Sequence, residues 1–181
     1  MARLLLVRHC ESTGQHASAA LSERGHSQAR ALAETLAAHP IDHLVASAYQ
    51  RAIDTLAPFA ARTGLVLHRD ERLVERRLSP EPIDGWRDVV RRSFSEPDFR
   101  VPGGESGREV RDRAWKALDE ILGAGHVLPA VASHGQLISL VLNGIDASFG
   151  FDGWQSLANP DVILLERHAS GRLSFGRLEG K

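Results

Sequence analysis

Leu4-Leu5-Leu6-Val7-Arg8-His9 places four apolar residues directly before two basic ones near the start of the chain. A short apolar run bounded by polar residues is typical of a strand that is buried on both faces of a sheet. In open α/β sheets, ligands bind beyond the carboxyl ends of such strands. The pattern therefore places Arg8 and His9 at the sheet edge where a functional site is expected.

Two later segments repeat this arrangement. Residues 41–47 predict a second buried strand, and Ser47-x-x-Gln50 has the form of a capping box that begins a helix. Arg51 then lies in the first turn of that helix, where the helix dipole and the guanidinium fork both suit a phosphate dianion. A third apolar run, residues 127–132, ends in Ser133-His134-Gly135-Gln136. Three predicted strand ends thus supply the cationic and imidazole groups of a phosphate-binding site.

Strands and helices alternate along the rest of the chain. Strands are predicted near residues 3–7, 41–46, 65–68, 127–132, 162–166 and 173–176. Helical spacing of apolar residues predicts helices at 23–38, 49–62, 108–122 and 137–142, and Ser106-x-x-Glu109 again has the capping-box form. This alternation favours an α/β fold, a three-layer α/β/α sandwich with a mainly parallel sheet. We expect one domain over residues 1–181, with the proline-interrupted segment 69–104 as a cap over the site.

The order of these motifs resembles that of the histidine phosphatase superfamily, in the branch that includes cofactor-dependent phosphoglycerate mutases and many small bacterial phosphatases. The similarity covers most of the chain. The matching motifs are Leu4 with Val7-Arg8-His9, residues 21–29, Ser47-x-x-x-Arg51-x-x-x-Thr55, Leu73-x-Glu75, Pro102-Gly103-Gly104-Glu105-Ser106, and Ser133-His134-Gly135. The resemblance implies the histidine phosphatase fold and a phosphoryl-transfer activity.

The resemblance also implies a catalytic role for five residues. His9 would attack phosphorus to form a phosphohistidine, which water would then hydrolyse. Arg8, Arg51 and a protonated His134 would stabilise the charge on the transferring group. Glu75 would protonate the leaving alkoxide and later activate the water. An attacking imidazole must be neutral, and a hydrogen bond from its other ring nitrogen to a backbone carbonyl would fix the tautomer.

Further positions complete the predicted site. Substrate binding is predicted for Gln15, Gly135, Gln136, Glu105 and Ser106. Gln15 stands where many relatives have asparagine. Next to Glu105 and Ser106, the Gly103-Gly104 pair permits close backbone approach to a ligand, although helix capping explains Ser106 equally well.

The chain departs from the family pattern at two places. Cys10 occupies a position where the family normally has glycine, and Gly85-Trp86 follows Glu75 later than the usual glycine-tryptophan pattern. Cys10 is also an alternative nucleophile, as in cysteine-dependent phosphatases. Those enzymes have an arginine after five intervening residues, where this chain has His16. A tolerated small side chain is therefore the simpler interpretation of Cys10.

The predicted cap is rich in arginine. Its arginines include Arg76, Arg77, Arg87, Arg91, Arg92 and Arg100. These side chains would suit a second anionic group on a substrate, and Trp86 would suit a ring. The alternative is that the arginines form a solvated helical face and that Trp86 serves packing.

Composition indicates an ordinary globular enzyme. The chain has 181 residues, 43% hydrophobic content and a formal net charge of −1, with no basic run that suggests a nucleic-acid partner. The apolar run before Arg8 is too short for a signal peptide or a membrane helix. Cys10 is the single cysteine, so no internal disulfide is possible and a cytoplasmic location is expected. No metal-ligand spacing is present, and the family mechanism requires neither metal nor cofactor.

The sequence thus predicts a metal-independent phosphatase that hydrolyses small phosphomonoesters through a phosphohistidine on His9. Its expected partner is a small phosphorylated metabolite, with no nucleic acid and no membrane, and a homo-oligomer is left open. The alternatives are mutase-type phosphoryl transfer on phosphoglycerate, an α-ribazole phosphatase, and a non-catalytic phosphoryl-binding module. The mutases of the family are generally longer around the cap, which favours the phosphatase for this compact chain.

Overall fold

A central six-stranded sheet organises the computed structural model, which describes residues 1–178. The strands are β1 Ala2–Arg8, β2 His43–Ser47, β3 Leu67–Asp70, β4 Pro129–Ser133, β5 Asp161–Arg167 and β6 Leu173–Arg177. Their order in the sheet is β3-β2-β4-β1-β5-β6. The first four strands in this order pair in parallel, and β5 and β6 pair antiparallel at one side. The predicted mainly parallel sheet is confirmed.

Helices cover both faces of this sheet. They are α1 Glu23–Leu36, α2 Gln50–Thr63, α3 Trp86–Ser95, α4 Gly107–Gly123, α5 Gly135–Ile145 and α6 Phe151–Ser156, with a single 3-10 turn at Glu71–Leu73. Alternate residues of β1 point to opposite faces. Leu5 and Val7 join a core with α1 and α2, whereas Leu4 and Leu6 join a core with α4 and α5. All four side chains are fully buried. The three-layer α/β/α sandwich is therefore confirmed.

Helix beginnings show where local sequence signals worked and where they failed. Ser106 accepts a hydrogen bond from the Glu109 N–H and caps α4 in the predicted capping box. The capping box predicted at Ser47 is wrong, because Tyr49 is the N-cap residue of α2 and no side chain caps this helix. Ser47 belongs to β2, and its hydroxyl instead contacts a ring nitrogen of His134 at 2.7 Å.

The segment 69–104 contains the end of β3, the 3-10 turn and α3. Helix α3 lies between prolines, was not predicted from the sequence, and packs against α5 and α6. Residues 75–83 and Trp86 line the large cavity beside His9. The end of the predicted domain, residues 179–181, lies outside the described residues. Among residues 1–178, no helix is both long and apolar enough to cross a membrane.

Candidate active site

His9 follows the end of β1 and is nearly fully buried. Its Nδ1 lies 2.6 Å from the carbonyl oxygen of Cys10, and its Nε2 lies 3.2 Å from the Nε of Arg51. Since a carbonyl only accepts and the guanidinium only donates, Nδ1 carries the hydrogen and Nε2 carries the lone pair. Burial lowers the pKa of His9 to about 4, with smaller contributions from the charges of Arg51 and Arg8. The imidazole is therefore neutral near pH 7, with its lone pair on Nε2.

Arg51 lies in the first turn of α2 and is fully buried. Its Nη1 donates to the backbone carbonyls of Gln15 at 3.2 Å and His16 at 3.0 Å, while its Nε faces His9. Burial lowers the pKa of the guanidinium, but an arginine remains protonated in proteins. No carboxylate within the described chain forms an ion pair with it. This uncompensated positive charge suits an anion.

Arg8 supplies a second guanidinium at the end of β1. Its Nη1 donates to the carbonyl of Leu157 at 2.5 Å, and its buried Nε lacks a hydrogen-bond partner among residues 1–178. Burial also lowers the pKa of Arg8. The Arg8 side chain packs closely against Gly135, where a Cβ would lie 3.2 Å from the Arg8 Nε. Arg8 thus has a donor that no other described residue uses and that suits a phosphate oxygen.

His134 lies at the N-cap position of α5 with its ring fully buried. The ring centroids of His134 and His9 are 5.2 Å apart. Burial, followed by the positive charge of Arg51, lowers the pKa of His134 well below its ordinary value. Burial and the neighbouring guanidinium therefore oppose the protonation that the resemblance implies for His134. A third positive charge beside two guanidinium groups is unfavourable in a buried site.

A neutral His134 retains a hydrogen to donate. The hydroxyl oxygen of Ser47 accepts from the Tyr49 N–H at 3.2 Å, and its own O–H can donate to the His134 Nε2 at 2.7 Å. In that arrangement the hydrogen of the neutral ring sits on Nδ1. That atom is buried and has no partner in the part of the chain described.

Glu75 lies just after the 3-10 turn and lines the cavity beside His9. Its Oε1 accepts from the backbone N–H groups of Arg76 at 2.8 Å and Leu137 at 3.1 Å. Its Oε2 accepts only from the N–H of Gln136, at 3.2 Å. The carboxylate thus sits at the N-terminus of α5, where the helix dipole favours negative charge. Because Oε1 already accepts two bonds, Oε2 is the oxygen with a spare lone pair.

Two arginines secure the segment that carries Glu75. Arg113 donates to the carbonyls of Arg72 at 2.7 Å and Val74 at 2.8 Å, and its other nitrogens bind the Glu105 carboxylate. Arg76 donates from Nε to the carbonyl of Glu105 at 2.9 Å and from Nη1 to Ser93 of α3. These bonds hold the segment of Glu75 in place, although the chain lacks the usual glycine-tryptophan spacing after this residue.

Substrate-binding predictions divide into two groups. Gln15, Gly135 and Gln136 line a cavity of about 1000 Å³ that also contains His9. Glu105 and Ser106 do not line this cavity, so the prediction that they lie in the substrate pocket is wrong. Glu105 is engaged by Arg113 and by the Arg77 N–H, and Ser106 is the cap of α4. A Cβ at Gly104 would lie 2.0 Å from the carbonyl oxygen of Leu78, so this glycine allows close packing within the protein.

Cys10 is fully buried beneath the site. Its N–H donates to the Thr55 hydroxyl at 2.9 Å, and burial raises the pKa of its thiol to about 11. The thiolate is the nucleophilic form of cysteine. The alternative of a cysteine nucleophile is therefore disfavoured, and the residue acts as a small core side chain.

Asn159 is a site residue that sequence reasoning missed. Its Nδ2 donates to the carbonyl of His9 at 2.7 Å, and its own carbonyl accepts from Gln28 at 2.6 Å. Gln28 in turn accepts from the Glu11 N–H at 2.9 Å. This chain of bonds fixes the backbone at His9. No local signal marks Asn159, because antiparallel pairing of β5 with β1 brings it there from a distant part of the sequence.

A neutral imidazole beside a buried guanidinium, at the carboxyl edge of a parallel sheet, is the arrangement expected of a phosphoryl-transfer protein with a histidine nucleophile. The chain belongs to the histidine phosphatase superfamily, branch 1, whose family model matches residues 4–173. The resemblance seen in the sequence is thereby confirmed.

Named relatives include both phosphatases and mutases. Phosphoserine phosphatase 1 of Hydrogenobacter thermophilus is 28% identical, over 92% of this chain and 88% of its own length. A probable phosphoglycerate mutase of Cronobacter sakazakii, GpmB, is 32% identical over 80% and 75%. An uncharacterised Mycobacterium tuberculosis protein, Rv0525, is 37% identical over 62% of this chain, which spans only 59% of that relative. The mycobacterial glucosyl-3-phosphoglycerate phosphatase Rv2419c superposes with a TM-score of 0.80 at 25% identity, covering 99% of both chains.

The depressed pKa of His9 predicts a loss of stability in acid. The pKa of this imidazole is 6.5 when unfolded and about 4 when folded, so the unfolded chain binds the extra proton between these values. The free energy of unfolding therefore falls as pH drops from 6.5 to 4, by roughly 3 kcal/mol from this group. Urea denaturation across this range measures the effect. His9→Gln should flatten the dependence, and an equal slope in both proteins would contradict the assignment.

Proposed function

We propose that this protein is a phosphomonoesterase that hydrolyses small phosphomonoesters through a phosphohistidine on His9. The observation that carries the proposal is the neutral His9 ring, whose Nε2 lone pair faces the buried guanidinium of Arg51. Placing a nucleophile beside preorganised cations is how phosphoryl transfer is catalysed electrostatically. Family membership and the phosphatases among the relatives support the same activity.

In the first step, the His9 Nε2 attacks phosphorus while the ester P–O bond breaks. Arg8 and Arg51 hold the non-bridging oxygens, and the neutral His134 donates from Nδ1. The leaving alkoxide takes a proton from Glu75, which enters this step as the carboxylic acid with its hydrogen on Oε2. In the second step, water gives its proton to the same oxygen and attacks phosphorus. The P–N bond then breaks, and inorganic phosphate leaves with His9 neutral again.

A mutase is the second candidate function, and the GpmB relative favours it. A mutase must keep the phosphohistidine long enough to return the phosphoryl group to an isomeric alcohol. Following both phosphate release and isomerisation of 3-phosphoglycerate distinguishes the two functions. We expect release to dominate, and isomerisation with negligible release would overturn the phosphatase proposal.

The general test is a panel of phosphorylated metabolites, including O-phosphoserine and phosphorylated glycerates, with inorganic phosphate as the readout. An α-ribazole phosphate belongs in the panel as the substrate of the related phosphatase class. A protein that binds phosphate yet hydrolyses no member would instead be a phosphoryl-binding module. A cytoplasmic location and a small-molecule partner, rather than nucleic acid or membrane, are parts of this proposal.

Activity is expected to survive treatment with a chelator. The half-buried guanidinium of Arg8 and the buried guanidinium of Arg51 already supply the positive charge that a metal provides in other phosphatases. Within residues 1–178, no group of three or more His, Cys, Asp or Glu side chains is placed to hold a metal ion. Phosphate release should change less than about twofold after EDTA treatment and desalting. Loss of activity that added Mg²⁺ or Zn²⁺ restores would contradict this expectation.

A further inference from the structure

A second, smaller cavity of about 350 Å³ adjoins the cavity that contains His9. Arg8, Trp86, Trp154 and Asn159 line both, so the two cavities are separated only by these shared side chains. Arg8 is also one of the two guanidinium groups proposed to hold the phosphoryl group. The small cavity therefore lies next to the proposed phosphate site. It can hold part of the alcohol that the phosphate esterifies.

Two tryptophans form the wall of this cavity. Trp86, the first residue of α3, meets Trp154 of α6 edge to face, with ring centroids 6.0 Å apart. Trp86 remains 42% exposed, unlike the apolar residues of the core. The Cζ of Arg87 lies 5.4 Å from the centroid of the Trp86 ring. An exposed aromatic ring beside a cation therefore faces the space next to the proposed phosphate site.

The arginines of this part of the molecule differ in their ion pairing. Four of them pair with carboxylates, whereas Arg69, Arg77, Arg87 and Arg91 form no ion pair within the described chain. The pairs are Arg72 with Asp70 and Glu120, Arg92 with Glu96, Arg100 with Glu109, and Arg108 with Asp98. Arg87 lines the small cavity and Arg77 lines the large one, and neither forms an ion pair within the described chain. Glu81 lines the large cavity as well, yet it lies beyond ion-pair distance of both.

We propose that Arg77 and Arg87 bind an anionic group on the alcohol part of the substrate, next to Trp86. The inference rests on the proposed phosphatase function, since it assigns the group that leaves. A planar guanidinium binds a carboxylate or a phosphate through paired hydrogen bonds, and an unpaired one at a cavity wall is free to do so. The substrate class is therefore a phosphomonoester that carries a second anion, a carboxylate or another phosphate.

Matched substrate pairs test this assignment. O-phosphoserine differs from phosphoethanolamine by its carboxylate, and 3-phosphoglycerate has a carboxylate where glycerol 3-phosphate has a neutral hydroxymethyl group. Fructose 1,6-bisphosphate against fructose 6-phosphate tests a second phosphate in place of a carboxylate. The wild type should prefer the more anionic member of at least one pair by about tenfold or more in kcat/KM. The pair that shows the preference identifies the kind of anion.

Arginine variants connect the preference to the two side chains. Arg87→Ala and Arg77→Ala should each lower the ratio within the preferred pair about fivefold or more, with the loss falling on the anionic member. Arg108→Ala is the matched control, because it removes an exposed arginine that is paired with Asp98 outside both cavities. Thermal unfolding of each variant checks that the fold is intact. A preference that survives in both arginine variants would overturn the proposal.

A binding measurement separates this inference from the proposed function. Calorimetry on His9→Ala gives the Kd of each pair member without turnover. If the wild type hydrolyses p-nitrophenyl phosphate but neither rates nor Kd values favour an anionic member, the inference fails and the phosphatase stands. If the wild type hydrolyses nothing but the Kd values show the preference and its loss in Arg87→Ala, the inference stands and the phosphatase proposal fails.

Discussion

His9→Ala is expected to lower kcat for phosphomonoesters by about 10⁴-fold or more, because the variant lacks the atom to which the phosphoryl group is transferred. Binding should persist. Arg8, Arg51 and His134 remain to hold a phosphate, and removing the ring leaves a space beside the Arg51 guanidinium. Steady-state kinetics on p-nitrophenyl phosphate and calorimetry with inorganic phosphate measure the two quantities separately.

Cys10→Ala is the matched control for that experiment, since it removes the adjacent side chain but keeps the carbonyl that binds the His9 Nδ1. This variant should retain activity within about tenfold, because the buried thiol is protonated at neutral pH. Rapid quenching with radiolabelled substrate should give a phosphoenzyme that is acid-labile and absent from His9→Ala. A label that persists in His9→Ala and disappears in Cys10→Ala would assign the nucleophile to the cysteine instead.

Much of the fold was predictable because β1 is apolar on both faces. A strand with apolar residues 4–7 has to lie inside a sheet that is covered on each side, which agrees with the three-layer sandwich that the alternation of strands and helices predicts. Helix α3 was not predictable in the same way. It contains only a few apolar residues between prolines, and it is held in place by tertiary packing against α5 and α6.

The site was predictable where a side chain directly follows a strand, as for Arg8, His9 and His134. It was less predictable where long-range hydrogen bonds decide the role. The protonation of His134 depends on burial beside Arg51, and the role of Glu105 depends on Arg113 in the following helix. Asn159 reaches the His9 carbonyl from the far end of the chain. None of these contacts leaves a local pattern in the sequence.

Glu75→Gln is expected to separate the two halves of the reaction. The variant cannot protonate a leaving alkoxide, so kcat for an alkyl ester such as O-phosphoserine should fall by about 10²- to 10⁴-fold. A p-nitrophenolate ion needs no proton to leave, so transfer to His9 should survive with an aryl ester. Hydrolysis of the phosphohistidine still lacks its base. Stopped-flow measurements should therefore show a burst of p-nitrophenolate, about one per enzyme, followed by slow turnover.

The position of Glu75 at the start of α5 requires a control for stability. One oxygen of its carboxylate accepts from the Leu137 N–H and the other from the Gln136 N–H; glutamine keeps an oxygen for the first bond, but its amide nitrogen cannot accept the second, so some loss of helix stability is expected. Glu120→Gln alters an exposed carboxylate that is paired with Arg72 and should leave both kinetic phases unchanged. Equal losses of the alkyl and aryl reactions without a burst would remove Glu75 from proton transfer and leave it a structural role. A burst on a folded variant assigns the proton to this carboxylate, because loss of helix stability alone does not discriminate between leaving groups.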